Sequence, residues 1–171
     1  MKHLLLICCI TFAFTTISSA YAETLISPPL PVINNQTLEI RMHRDWLITH
    51  QDNLYAWHTS SYDFEVRRPY AGRSQNAKFD VEVIVHSLVR AQMHGDLVGR
   101  KYRIPSGLEG LIHTESFAPN EQDWYLTIPI KKTQGALIIR LVNLKGSSFD
   151  QKNTAYSIFR GIYFSSRRSR K

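Results

Sequence analysis

The sequence predicts an α+β domain, an antiparallel sheet with helices packed on it. Several segments alternate apolar and polar residues at the strand period, and two others carry apolar residues at helical spacing. In the second half the strands follow one another with no helix between them, which favours antiparallel pairing over a doubly wound nucleotide fold.

The elements follow in order. "TLEIRM" sets Leu38, Ile40 and Met42 against Thr37, Glu39 and Arg41, a half-buried strand. "NLYAWHTSSYDFEVRRP" reads as a hairpin or two short strands, stopped by Pro69. The stretch Lys78 to His94 carries two patterns at once. "FDVEVIV" alternates and is β-branched, while Val81, Ile84, Val85, Leu88 and Ala91 form a helical stripe. Its length without Gly or Pro, and Gly95 as a C-terminal stop, favour a helix. A strand follows near Leu111 to Ser116. "QDWYLTIPIKK" is another, with Pro129 marking an edge or an end because it cannot donate to a ladder. "ALIIRLVNL" is a buried strand. Ser148 with Gln151 suggests a capping box opening a helix whose apolar face is Ala155, Ile158, Phe159 and Ile162.

The ends read differently from the body. "MKHLLLICCITFAFTTISSAYA" has a basic start, an apolar run shorter than a bilayer span, and Ala20-x-Ala22 before Glu23. Residues 1–22 are therefore expected to be a cleaved signal peptide of bacterial type, with the product periplasmic or extracellular. Residues 23–36, with Pro28, Pro29 and Pro31, read as an extended leader. Residues 37–164 form one α+β domain, within a mature chain of about 150 residues, enough for one packed core. Cys8 and Cys9 leave with the signal, so no disulfide or thiolate chemistry remains. Of the formal charge of +7, much sits in the tail 165–171, where Arg167, Arg168, Arg170 and Lys171 stand together. This tail suits weak contact with an anionic membrane. Nucleic acid is a poorer fit, since its footprint covers a face rather than a terminus.

From Lys78 to Phe164 the pattern resembles the PsbP/Mog1/DcrB-like superfamily of small exported α/β/α sandwiches. The features are a helix ending at Gly95, "GLEGLIHTES" entered through glycines, the meander "WYLTIPIKKTQGALIIRLVNL", and a closing helix "SSFDQKNTAYSIFRGIYF". Phe149, Ile158, Ile162 and Phe164 would fill that helix's packing roles. "HRDWLITHQDNLYAWHTSS" has no counterpart in the pattern. The resemblance implies an accessory, assembly or immunity-type binding module.

Candidate chemistry is sparse. His43, His50, His58, His86, His94 and His113 show no metal-ligand spacing, so no metal or other cofactor is expected. No nucleophile elbow occurs, and Ser106 in "IPSGLEG" reads first as a turn former. Asp45 with Asp52, or Glu109 with Glu115, are conceivable carboxylate pairs, but only spatial separation decides that. The densest feature is aromatic: Trp46, Tyr55, Trp57, Tyr62, Phe64 and Tyr70, with Arg67 and Arg68 beside them. These residues suit a hairpin core. Trp46, Tyr55, Trp57, Tyr62, Arg67 and Arg68 also suit a recognition surface, because a strand has two faces. The expected function is an exported, non-catalytic binding or accessory protein engaging a protein or envelope partner. The alternative is a small exported hydrolase.

Overall fold

The computed structural model describes residues 21–43, 46–56, 59–69 and 76–166. Among the described residues, ten strands and two α-helices run in the order β1 (Tyr21–Leu30), β2 (Gln36–His43), β3 (Leu47–Ala56), β4 (Thr59–Pro69), β5 (Asn76–Ser87), α1 (Leu88–Met93), β6 (Arg100–Arg103), β7 (Glu109–Ala118), β8 (Glu121–Ile130), β9 (Gly135–Lys145), α2 (Ser148–Arg160) and β10 (Ile162–Ser165). Every strand pairing is antiparallel. The α+β class is thus met by antiparallel sheets with two helices.

Two meanders, β3–β4–β5 and β6–β7–β8–β9, join along β5 and β9 into a seven-stranded sheet of order β3-β4-β5-β9-β8-β7-β6. A second sheet has the order β1-β2-β10. One hydrophobic core runs between them: Phe79, Val81 and Val83 of β5, Leu126 and Ile128 of β8, and Leu137, Ile139 and Leu141 of β9 belong with Leu25, Leu38, Ile40 and Met42. Ala155, Ile158 and Phe159 of α2 complete it.

The helix expected over 78–94 is a strand for most of its length. Residues 80–87 pair residue by residue with 135–142 of β9, and β4 flanks the other edge. A β-branched segment with partners on both sides satisfies its backbone and packs both faces, so tertiary pairing overrides the helical stripe. Only Leu88–Met93 is helical, capped by Ser87 Oγ, which accepts from the Arg90 N–H at 3.1 Å. Gly95 does end this helix. Its φ is +79°, and the Gly95 and Asp96 amides bond back to the Gln92 and Ala91 carbonyls in a Schellman closure.

The Pro-rich stretch is extended, but as part of the fold rather than as a leader. Strand β1 pairs with β2 from Tyr21↔His43 to Leu30↔Gln36, with a register shift between Ile26 and Pro29. Prolines fit there because β1 is an edge strand and a bulge needs no ladder donor. Leu25 and Leu30 are buried, and Ser27 Oγ accepts from the Leu38 N–H at 3.0 Å. Cleavage after Ala22 would take only the first two positions of this strand.

The closing helix is shorter than its apolar stripe suggests. Its cap is Ser147, whose Oγ accepts from the Asp150 N–H, so the cap lies one residue before Ser148. The helix stops at Gly161. A Cβ at that position would fall on the Arg41 carbonyl oxygen, so the close approach of β2 requires glycine. Ile162–Ser165 then pairs with β2, placing buried Ile162 opposite Ile40. Phe149 is exposed rather than packed. Pro129 lies one residue from the end of β8, opposite Ala136.

Candidate functional site

Strand β6 is the last strand of the large sheet, and α2 runs beside it. Alternation along β6 sends Arg100 and Tyr102 to the helix side. Tyr102 packs edge-on against Tyr156 at 5.4 Å and against Phe159 at 6.3 Å. Tyr156 also meets Trp124 edge-on at 6.1 Å. This aromatic seam holds β6 against α2 and leaves a cleft of about 380 Å³ above it, lined by Arg100, Lys152, Asn153, Tyr156, Ser157 and Arg160.

Three lining residues are cationic, and no carboxylate is among them. Residues 152, 156 and 160 are spaced four apart, so they stack along one face of α2, beside the buried row of Ala155 and Phe159. One of the cations is positioned: the Arg100 guanidinium donates to the Tyr156 hydroxyl, while Arg160 lies near the Tyr102 hydroxyl. Burial raises the Tyr102 pKa, and the nearby Arg160 charge only partly offsets that. The phenol therefore stays protonated and polar. Such a cleft can hold anionic groups by charge-assisted hydrogen bonds.

The face of the large sheet that turns away from the core carries a second polar array. Arg140 of β9 donates to Asp123 of β8 at 3.0 Å and to Glu82 of β5 at 2.9 Å. Burial alone would lower the Arg140 pKa, but the Glu82 and Asp123 charges raise it overall. Asn143 donates to Asp80, and the Tyr125 hydroxyl donates to Glu115 at 2.9 Å. Burial and that carboxylate push the Tyr125 phenol upward. His113 stacks on Tyr125 with centroids 4.4 Å apart. The hydrogen-bonded groups tie β5, β9, β8 and β7 together, while His113 Nδ1 is buried with no hydrogen-bond partner among the described residues.

At the end of this array, His86 Nδ1 lies 3.2 Å from Asp96 Oδ2, and the His86 and His94 rings are 5.4 Å apart. Burial lowers the His86 pKa despite the Asp96 carboxylate. His86 and Ser87 also line a cavity of about 250 Å³ with Val32, Thr133 and Gln134. Among the described residues no group of three or more His, Cys, Asp or Glu is arranged to hold a metal ion.

Of the residues expected to recognise a partner, the structure gives surroundings for Trp46 and backbone positions for four others. Trp46 is buried, edge-on to Phe79 at 5.7 Å, and serves the core. Tyr55 lies on β3, and Tyr62, Arg67 and Arg68 lie on β4; their backbone registers place Tyr62 opposite Asn53 and Val83, and Arg67 opposite Leu47 and Lys78. Trp57 and the basic group Arg167, Arg168, Arg170 and Lys171 lie outside the described residues, as do Asp45 and residues 1–20 of the expected signal peptide. Glu109 and Glu115 occupy one strand six residues apart, about 20 Å at the strand rise. That separation rules them out as a glycosidase pair. Ser106 sits on the exposed tip of the β6–β7 turn.

Sequence reading missed the cleft because Arg100 is about fifty residues from α2. The signal that could have found half of it was Lys152, Tyr156 and Arg160 on the outer face of a segment already read as helix. No family model, curated protein or solved structure matches the chain.

Proposed function

We propose that this chain is an exported, non-catalytic binding protein that engages an acidic protein or envelope component through the cleft between β6 and α2. The observation that carries this reading is the set of three lining cations with no carboxylate beside them. A basic edge strand also has a structural use, since charge on β6 discourages sheet-to-sheet pairing. That use does not account for Lys152 and Arg160 on the helix, nor for the tyrosine hydroxyl that positions Arg100. The tail residues Arg167, Arg168, Arg170 and Lys171 supply a second anionic contact, each contributing about 1 kcal/mol near a charged lipid surface. The PsbP/Mog1-like resemblance of the sequence pattern over residues 78–164 points to the same class of module.

The experiment is affinity capture from an envelope extract, comparing the wild-type protein with the Arg100→Gln/Arg160→Gln double variant. Loss of retained acidic components in the variant supports the cleft as the contact. An identical set on both baits would remove the cleft from the proposal.

A hydrolase reading has one observation in its favour, the His86–Asp96 pair beside a cavity. The hydroxyl nearest in sequence is that of Ser87, and it is engaged as the cap of α1. The binding reading therefore takes precedence.

A further inference from the structure

We infer that the ligand of the β6–α2 cleft is an acidic oligosaccharide, bound along α2 with its charged groups toward the cations and its hydroxyls toward the neutral side chains between them. This deepens the binding reading proposed above and rests on it.

The first argument is spacing. Lys152 and Arg160 are eight residues apart on one helix face, about 12 Å along the axis. Arg100 stands on the facing strand, tied to the Tyr156 hydroxyl. That bond holds its guanidinium on the strand side of the cleft, apart from the two cations spaced along the helix. Separated cations match a ligand whose anionic groups are themselves spaced along a chain.

The second argument is the chemistry between the cations. Asn153, Tyr156 and Ser157 present an amide and two hydroxyls. Sugar hydroxyls are both donors and acceptors, and this lining can answer both roles. An acidic peptide would bring apolar side chains, and no aliphatic side chain is among the lining residues. A single-stranded nucleic acid would need ring faces on which to stack its bases. The Tyr156 ring is instead engaged edge-on with Tyr102 and Trp124.

The test is isothermal titration of the purified protein at low salt with four probes: a sulfated heparin hexasaccharide, a galacturonate hexamer, a neutral dextran oligosaccharide and polyglutamate. Three proteins are compared: wild type, Arg100→Gln/Arg160→Gln, and a tail variant with Arg167, Arg168, Arg170 and Lys171 each changed to Gln. Binding of an acidic oligosaccharide, silent dextran and a loss of at least about tenfold in the cleft variant are expected, because each charge-assisted hydrogen bond is worth ~1.5–3 kcal/mol. The tail variant should keep most of the affinity. Arg100 and Arg160 are exposed, so the double variant should fold; if its melting curve is altered, Lys152→Glu replaces it. Polyglutamate binding at the cleft with no oligosaccharide binding overturns the glycan assignment while sparing the acidic-partner reading. Binding of every polyanion unchanged in the cleft variant, or lost only in the tail variant, overturns both.

Discussion

Val83 of β5 stands directly opposite Ile139 of β9, and both side chains are buried. The pair lies on the β5–β9 seam, which joins the two meanders of the large sheet. Val83 does not belong to the helical stripe of the same segment, so it separates the two readings of residues 78–94. Val83→Asp places an uncompensated carboxylate in the core and is expected to cost more than about 4 kcal/mol. Far-ultraviolet circular dichroism and urea denaturation check this. A cooperatively folded variant of near-native stability would contradict the seam.

Arg140 neutralises a carboxylate that has little access to water. Asp123 is 3% exposed, and Arg140→Met strands it, for an expected loss of about 3–5 kcal/mol. Asp123→Asn added to that variant should recover part of the loss, since a neutral amide is cheaper to bury. Chemical denaturation of the two variants measures both effects. Equal stabilities would show that the ion pair has no structural role.

Acidification below about pH 6.5 should destabilise the fold through two half-buried histidines. His86 and His113 have pKa values below the ordinary 6.5, in each case because burial disfavours the charged ring. The groups facing them are Asp96, Arg90 and His94 for His86, and Glu115, Asp96 and the Val98 backbone for His113. The unfolded chain thus binds more protons than the folded one just below pH 6.5, so stability is full above that pH and declines beneath it. Thermal melts at pH 8 and pH 5.5 should show a lower Tm at the acid value, and His113→Gln should shrink the difference. A Tm that rises on acidification would reverse the sign.

The two ends of α2 make separate predictions. Ser147→Ala removes the cap and should cost about 1 kcal/mol, whereas Ser148→Ala should change stability by no more than a few tenths. At the other end, Gly161→Ala collides with the Arg41 carbonyl and weakens the bond that the Arg41 N–H donates to the Gly161 carbonyl. Hydrogen exchange should then show faster exchange for the β10 amides while the β8 and β9 amides stay protected. Unchanged β10 protection would count against the tight approach.

Alternation made β2 legible because one of its faces is buried, and β9 showed as a continuous apolar run because residues 135–139 are buried whichever face they take. Strand β5 carried two valid periods, and local pattern cannot reveal that β4 and β9 wait on either side. Strand β1 was obscured by prolines that only an edge position tolerates. Strand β10 was hidden because Ile158 and Ile162 are four apart and extend the helical stripe; the Arg41 backbone, far away in sequence, is what forces the turn at Gly161. Trp46 looked available for recognition until Phe79 was placed beside it. Arg100 and α2 are likewise united only by the fold.

The pairing of β10 with β2 bears on how the chain reaches its final shape. Ile40 meets Ile162 across about 120 intervening residues, a closure of high entropic cost that comes late in folding. Strand β2 therefore waits with one edge unpaired until β10 has been made, and the smaller sheet is completed only after the strands of the larger sheet are in the chain.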